Sequence, residues 1–173
     1  IFEASISDRE LAGMGTTAVG LLVHDGKIAI SHAGDSRCYR FRDDELEQLT
    51  DDHSLSNFLH SIGRSVEAQM AKATMSNVIM RALGLEVDVT IDTQEIGVED
   101  GDHFLLCSDG LTDLVTDDEI ADVLADEENS LEEAADILLQ AALDGGGRDN
   151  VTLVIVGVHG SSVVTDDERR GDT

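Results

Sequence analysis

His103-Phe104-Leu105-Leu106-Cys107-Ser108-Asp109-Gly110-Leu111-Thr112-Asp113 is the stretch on which the reading of this chain turns. Its first five residues are mostly apolar and contain neither proline nor glycine, which reads as a buried strand. Ser108-Asp109-Gly110 then ends the strand sharply. Asp109 is left at the strand's mouth, Gly110 lets the chain turn away, and Asp113 follows one turn further on. A carboxylate in that place is either a turn former or a ligand for something positively charged.

Upstream, Glu99-Asp100-Gly101-Asp102 makes the turn into this strand, and alternation over Val87–Ile96 predicts another strand before it. Near the start, Ile1–Leu11 reads as the end of a helix, broken by Gly13-Met14-Gly15. Thr16–Val23 and Ile28–Ala33 read as two antiparallel strands around Asp25-Gly26, a strong hairpin signal. Gly34-Asp35-Ser36 interrupts the second strand before Arg37–Phe41 resumes it, and Asp43-Asp44 turns into a short strand over Glu45–Leu49. These segments are expected to form one antiparallel meander. Helix patterns follow over Ser54–Ile62, Val66–Ala73 and Asn77–Leu83. Downstream, Thr116-Asp117-Asp118-Glu119 and Ser130-Leu131-Glu132-Glu133 are capping boxes opening two amphipathic helices. Asp144–Asn150 leads into a last strand, Val151–Val158. The order is α+β, with helices layered on mostly antiparallel sheet.

The length of 173 residues fits one domain, expected over residues 1–158, with 159–173 an acidic polar tail that frays. Acids outnumber Lys and Arg by 37 to 11, for a net charge of -26. Such a surface repels nucleic acid and anionic membranes, so neither is expected as a partner. It suits divalent cations, basic partners or a high-salt cytoplasm. Cys38 and Cys107 lie far apart inside apparent strands, which predicts buried free thiols in a reducing compartment and hence a cytoplasmic protein. No apolar run approaches membrane-spanning length. The chain opens on Ile1 rather than Met, which reads as a piece of a longer protein or a processed product. It contains no proline, for which nothing in the sequence supplies a reason.

The chemistry-bearing pattern is Asp at strand ends beside Gly: Asp35 in Gly34-Asp35-Ser36-Arg37, Asp109, and Asp149 in Gly147-Arg148-Asp149-Asn150, with Asp113 four residues past Asp109. Carboxylates gathered together repel one another unless a cation neutralises them. An all-oxygen set suits Mg2+ or Mn2+ before Zn2+. Other sites fit worse. Glycine comes too early after Asp109 for a calcium loop. Neither cysteine is followed six residues on by Arg, as a cysteine phosphatase needs. No second Asp stands two residues from Asp109, as an aspartyl-phosphate enzyme would want. The six histidines show no ligand spacing and read as solvated or satisfied.

In one order the chain carries Gly15-Thr16-Thr17-Ala18, Gly34-Asp35-Ser36-Arg37, Leu49-Thr50-Asp51-Asp52-His53-Ser54, Arg81-Ala82-Leu83-Gly84, Leu105–Asp113 and Gly147-Arg148-Asp149-Asn150-Val151-Thr152. Over residues 13 to 158 this series resembles the metal-dependent protein serine/threonine phosphatases of type 2C, in their bacterial form. The resemblance implies a sandwich of two antiparallel sheets flanked by helical layers (α-β-β-α). It implies a Mn2+ or Mg2+ centre: Asp109 and Asp149 match ligands of its two-metal core, and Asp35 and Asp113, with Asp109, match the acids of a third ion. It implies hydrolysis of phosphoserine and phosphothreonine on proteins by a metal-activated water, without a phosphoenzyme, on substrates of a Ser/Thr kinase. Asp52–Met80 corresponds to the family's mobile flap.

The family's opening portion has no counterpart before Gly13: the phosphate-binding Arg, the Glu-Asp strand and the Asp-Gly segment that bridges the metals. The sandwich is therefore expected to be N-terminally incomplete, exposing apolar sheet edges that a partner chain, a dimer or further sequence would cover. The alternative to an enzyme is a non-catalytic, phosphatase-like binding or regulatory module that has lost part of its metal site.

Overall fold

The computed structural model describes residues 1–75 and 78–160; the expected tail lies, beyond Gly160, outside the described residues. Strands β1 (Ala18–His24), β2 (Lys27–Ala33) and β5 (Asp92–Gly97) form one antiparallel sheet in the order β1-β2-β5. Strands β3 (Arg37–Arg42), β4 (Glu45–Gln48), β6 (His103–Cys107) and β7 (Leu153–Gly157) form a second, ordered β4-β3-β6-β7. The helices are α1 (Phe2–Ser7), α2 (Leu55–Ser61), α3 (Ser65–Thr74), α4 (Asp109–Thr112), α5 (Asp117–Ala125) and α6 (Leu131–Asp144), with a 3-10 turn over Arg9–Leu11. No helix among the described residues is long and apolar enough to cross a membrane.

The two hairpins form where the turn residues place them, pairing His24 with Lys27 and Arg42 with Glu45. The expected single meander does not form. At Gly34-Asp35-Ser36 the chain leaves the first sheet and enters the second, so β3 pairs with β6 (Arg37 with Cys107, Tyr39 with Leu105) rather than with β2. Gly34 makes the crossing at φ +117°, and a Cβ there would stand 2.3 Å from the Thr17 methyl. Only glycine fits both the angle and the space.

Three further expectations are corrected. Residues 78–83 are not helical: Ile79 bridges Ser54, Leu83 bridges Thr16, and Met80 N–H donates to the His53 carbonyl. Distant extended partners take the backbone groups that a helix would have used. The strand expected from Val87 starts only at Asp92, and Val87 and Ile91 point to solvent. The first helix stops at Ser7, because the Asp8 side chain accepts from Glu10 N–H and starts the separate 3-10 turn.

Two cores hold the sheets. Ile28, Ile30, Cys38, Val98 and Phe104 lie between them. Tyr39, Phe41, Leu105 and Cys107, from the other face of the second sheet, meet Leu111, Val115, Ile120, Leu124, Leu138 and Ala142 of the helical layer. A fully buried side chain of the Leu, Ile or Phe kind contributes about 1.5–3 kcal/mol. Both capping boxes form, Thr116 with Glu119 and Ser130 with Glu133, and they fix where α5 and α6 begin. On the edge strands Leu22, Val23 and Val154 are exposed.

One ion pair sits at the base of the second sheet. Asp102 is 1% exposed and accepts from two Arg42 nitrogens, each at 2.6 Å, and from Glu99 N–H at 2.8 Å. Burial alone would raise its carboxyl, but those three donors outweigh it and hold the group below the usual carboxylate range. A carboxyl depressed in the folded state contributes stability above its unfolded pKa of about 3.9, and loses it as pH falls through the lower folded value. Asp102→Asn is therefore expected to cost about 3 kcal/mol at pH 7. Urea unfolding across pH should show that cost shrinking below about pH 4.

Candidate metal centre

The C-terminal end of β6, the N-terminal end of β3 and the loop before β7 meet at one end of the second sheet. After Cys107 the chain passes through Ser108 into α4, whose first residue is Asp109. Ser108 ties the loop before β7 alongside. Its N–H donates to the Thr152 carbonyl at 3.0 Å, its hydroxyl to the Asn150 carbonyl at 3.3 Å, and Thr152 N–H returns to that hydroxyl at 3.1 Å. A Cβ on residue 110 would meet the Asn150 carbonyl oxygen at 2.3 Å. Glycine at 110 is what lets the loop carrying Asp149 come beside Asp109.

Asp35, Asp109 and Asp113 line one small cleft with Arg37, Asp52, Ser54, Lys72 and Thr112. Asp149 does not line it, and its carboxylate accepts from Asn150 N–H at 2.7 Å. It nonetheless acts on the same group. Burial pushes the Asp109 carboxyl up, and Asp113 and Asp149 push it further. Asp35 is also pushed up, by burial first and then by Asp109. All four acids taken from the sequence are thus electrostatically linked through Asp109. Repelling carboxylates from three separate elements have the donor chemistry that suits a hard divalent cation, which would relieve the repulsion, although among the described residues no three of these acids bring their oxygens within 4.8 Å of one another.

The sequence reading missed the groups around these acids. Asp52 holds Arg37 in a fork, at 2.9 and 3.1 Å to Nε and 2.7 Å to a terminal nitrogen. The other terminal nitrogen donates to the Tyr39 hydroxyl at 2.9 Å, which donates to Asp117 at 3.2 Å. A signal for this existed. In the register set by the Asp43-Asp44 hairpin Tyr39 faces Gln48, so Arg37 falls beside the Thr50–Asp52 segment.

A second unforeseen group is His32, His53 and Asp92, whose ligand atoms lie within 4.8 Å of one another. The two rings stack at 4.6 Å. A metal is not needed there. His53 Nδ1 accepts from Gly34 N–H at 3.0 Å, so its proton sits on Nε2 and goes to Asp92 at 3.0 Å. Arg81 donates to the other Asp92 oxygen at 2.7 Å, and His53 then Arg81 hold that carboxyl low. The guanidinium already supplies the positive charge. The group works as a clamp on Gly34, the residue before Asp35, since His53 N–H also donates to the Gly34 carbonyl at 2.9 Å.

Cys38 and Cys107 are free and buried, and burial pushes both thiols up to about 12. Neither is a thiolate at neutral pH, so neither is an available nucleophile.

Residues 2–145 match the family model described as Protein phosphatase 2C. A serine/threonine phosphatase of Listeria welshimeri is 39% identical over 150 residues, covering 87% of this chain and 59% of that protein. The chain thus spans about three-fifths of that curated relative's length. The structure of the S. agalactiae serine/threonine phosphatase superposes with a TM-score of 0.85 at 34% identity, over 92% of this chain and 65% of that one. The catalytic domain of the serine/threonine protein phosphatase PstP, in complex with two manganese ions, matches at a TM-score of 0.73 and 38% identity, over 88% and 63% of the two chains.

Removing one of the repelling carboxylates should stabilise the metal-free protein. In chelator, Asp35→Asn and Asp109→Asn are expected to raise the urea midpoint above wild type. Mn2+ at a hundred times its Kd should stabilise wild type by about 2.7 kcal/mol, and Asp109→Asn by little or nothing. Paired unfolding curves with and without Mn2+ measure both effects.

Proposed function

The chain belongs to the protein phosphatase 2C family, and we propose that it contributes the larger part of a centre that hydrolyses phosphoserine and phosphothreonine on proteins. The observation that supports this most is the linkage of Asp35, Asp109, Asp113 and Asp149 at one end of the second sheet. Asp109 and Asp149 are proposed to hold Mn2+ or Mg2+ in a two-metal centre, with Asp35 and Asp113 joining Asp109 at a third ion. When bound, such ions activate a water for attack on phosphorus and neutralise the phosphoryl oxygens. The chain's own part is positional. The Ser108–Thr152 bonds tie the loop that carries Asp149 to the segment before Asp109, and the His53 clamp on Gly34 fixes the segment that delivers Asp35. No side chain is needed as a covalent nucleophile, which fits two protonated, buried thiols.

Phosphorylated proteins, the products of a Ser/Thr kinase, are the proposed substrates. Residues 1–158 are proposed as one phosphatase-type domain. Buried free thiols suit the cytoplasm as its place of work. The exposed apolar residues of edge strands β1 and β7 suit cover by a partner chain or by further sequence.

Hydrolysis of p-nitrophenyl phosphate and of a phosphothreonine peptide, with Mn2+ and with chelator, tests the reading. Turnover should require Mn2+ and fall to background in Asp109→Asn. A wild-type chain that binds Mn2+ yet turns over no faster than that variant would instead favour the non-catalytic binding module.

A further inference from the structure

Two cations line the cleft with Asp35, Asp109 and Asp113: Arg37 and Lys72. Arg37 is held in place by Asp52 and Tyr39. Lys72 stands in the last turn of α3 and is exposed. Among the described residues, no hydrogen bond or ion pair fixes its ammonium group. Among the described residues Arg9 and Arg148 also lack such a bond, in a chain with 37 acids and 11 lysines and arginines, but neither lines the cleft. Lys27, Arg37, Arg40, Arg42, Arg64 and Arg81 each pair with a carboxylate. Lys72 faces a cleft with four of them, Asp35, Asp52, Asp109 and Asp113, and pairs with none.

Its position is set by its helix rather than by an acid. Within α3 the buried residues are Ala68 and Ala71, so the helix is anchored immediately beside Lys72. Once divalent cations occupy the acids, the carboxylates no longer compete for the ammonium. A flexible stem carrying three N–H donors then faces the mouth of the cleft. A compact cation of this kind recognises phosphate as a point charge, without the fixed fork of arginine.

We infer that Lys72 is a phosphate-binding residue of this cleft, donating to the phosphoryl oxygens of a bound phosphoester from the α3 side. The inference rests on the phosphatase reading above. It goes beyond the acids by adding to the metal-binding set a protein-borne cation that touches the substrate.

The test is calorimetric titration of inorganic phosphate into the Mn2+-loaded chain, wild type against Lys72→Met and Lys72→Arg, with Mn2+ binding measured on each. Lys72→Met should weaken phosphate binding about tenfold or more, the loss of one charged hydrogen bond. Lys72→Arg should recover most of it, and Mn2+ affinity should be unchanged or tighter in both. Equal phosphate affinity in wild type and Lys72→Met, or no phosphate binding to the wild type, overturns the inference. Phosphate binding that depends on Lys72, in a chain that hydrolyses no phosphothreonine peptide, sustains the inference and overturns only the hydrolase reading. Mn2+-dependent hydrolysis with an unchanged KM in Lys72→Met overturns only the inference.

Discussion

The Asn150 carbonyl oxygen lies where a side chain at position 110 would begin. That close approach, secured by the three Ser108 bonds, is the constraint on which the rest of the site depends. β6 is an interior strand of the second sheet, paired on both sides, and so its C-terminal end is a rigid platform. The loop before β7 is not part of the sheet and could pass at many distances. Glycine at 110 and a hydroxyl at 108 reduce those to one. Asp149 consequently helps push up the Asp109 carboxyl although the two are 40 residues apart in sequence.

Charge is arranged differently at the two ends of the second sheet. Near the N-terminal end of β6, Asp102 is buried but fully matched by Arg42 and Glu99 N–H, and its carboxyl is held low. At the other end Asp35 is buried and Asp109 half-buried, and there burial and neighbouring acids outweigh the backbone hydrogen bonds, so both are pushed up. The same residue type is thus a structural anchor in one place and a source of strain in the other. Local destabilisation of that kind is a common signature of a binding site, since whatever relieves it is bound with the energy stored there.

The parts of the fold that were legible in the sequence are those decided locally. Both capping boxes, the Asp25-Gly26 and Asp43-Asp44 hairpins and the strand ending at Cys107 each depend on residues within a few positions of one another. What was not legible depends on partners far away. Whether Arg37–Phe41 continues a meander or joins another sheet is settled by residues 103–107. Residues 78–83 carry a helical pattern, yet their backbone groups go to His53 and Thr16. The candidate acids were readable because each sits beside glycine at a strand end. Arg37, Asp52, Lys72 and the His53 clamp were not, because their meaning lies in contacts between segments.

Gly34-Asp35-Ser36 does two things at once: it carries the chain from one sheet to the other, and it delivers a carboxylate to the cleft. Sandwich thickness and cleft width are therefore not independent variables. A repacking substitution among Ile28, Ile30, Cys38 and Phe104 that altered the separation of the sheets would pull on this three-residue bridge and displace Asp35. The interior of the sandwich acts as a gauge for the cleft at its end, and core volume becomes a quantity that selection on the shape of that cleft can act upon.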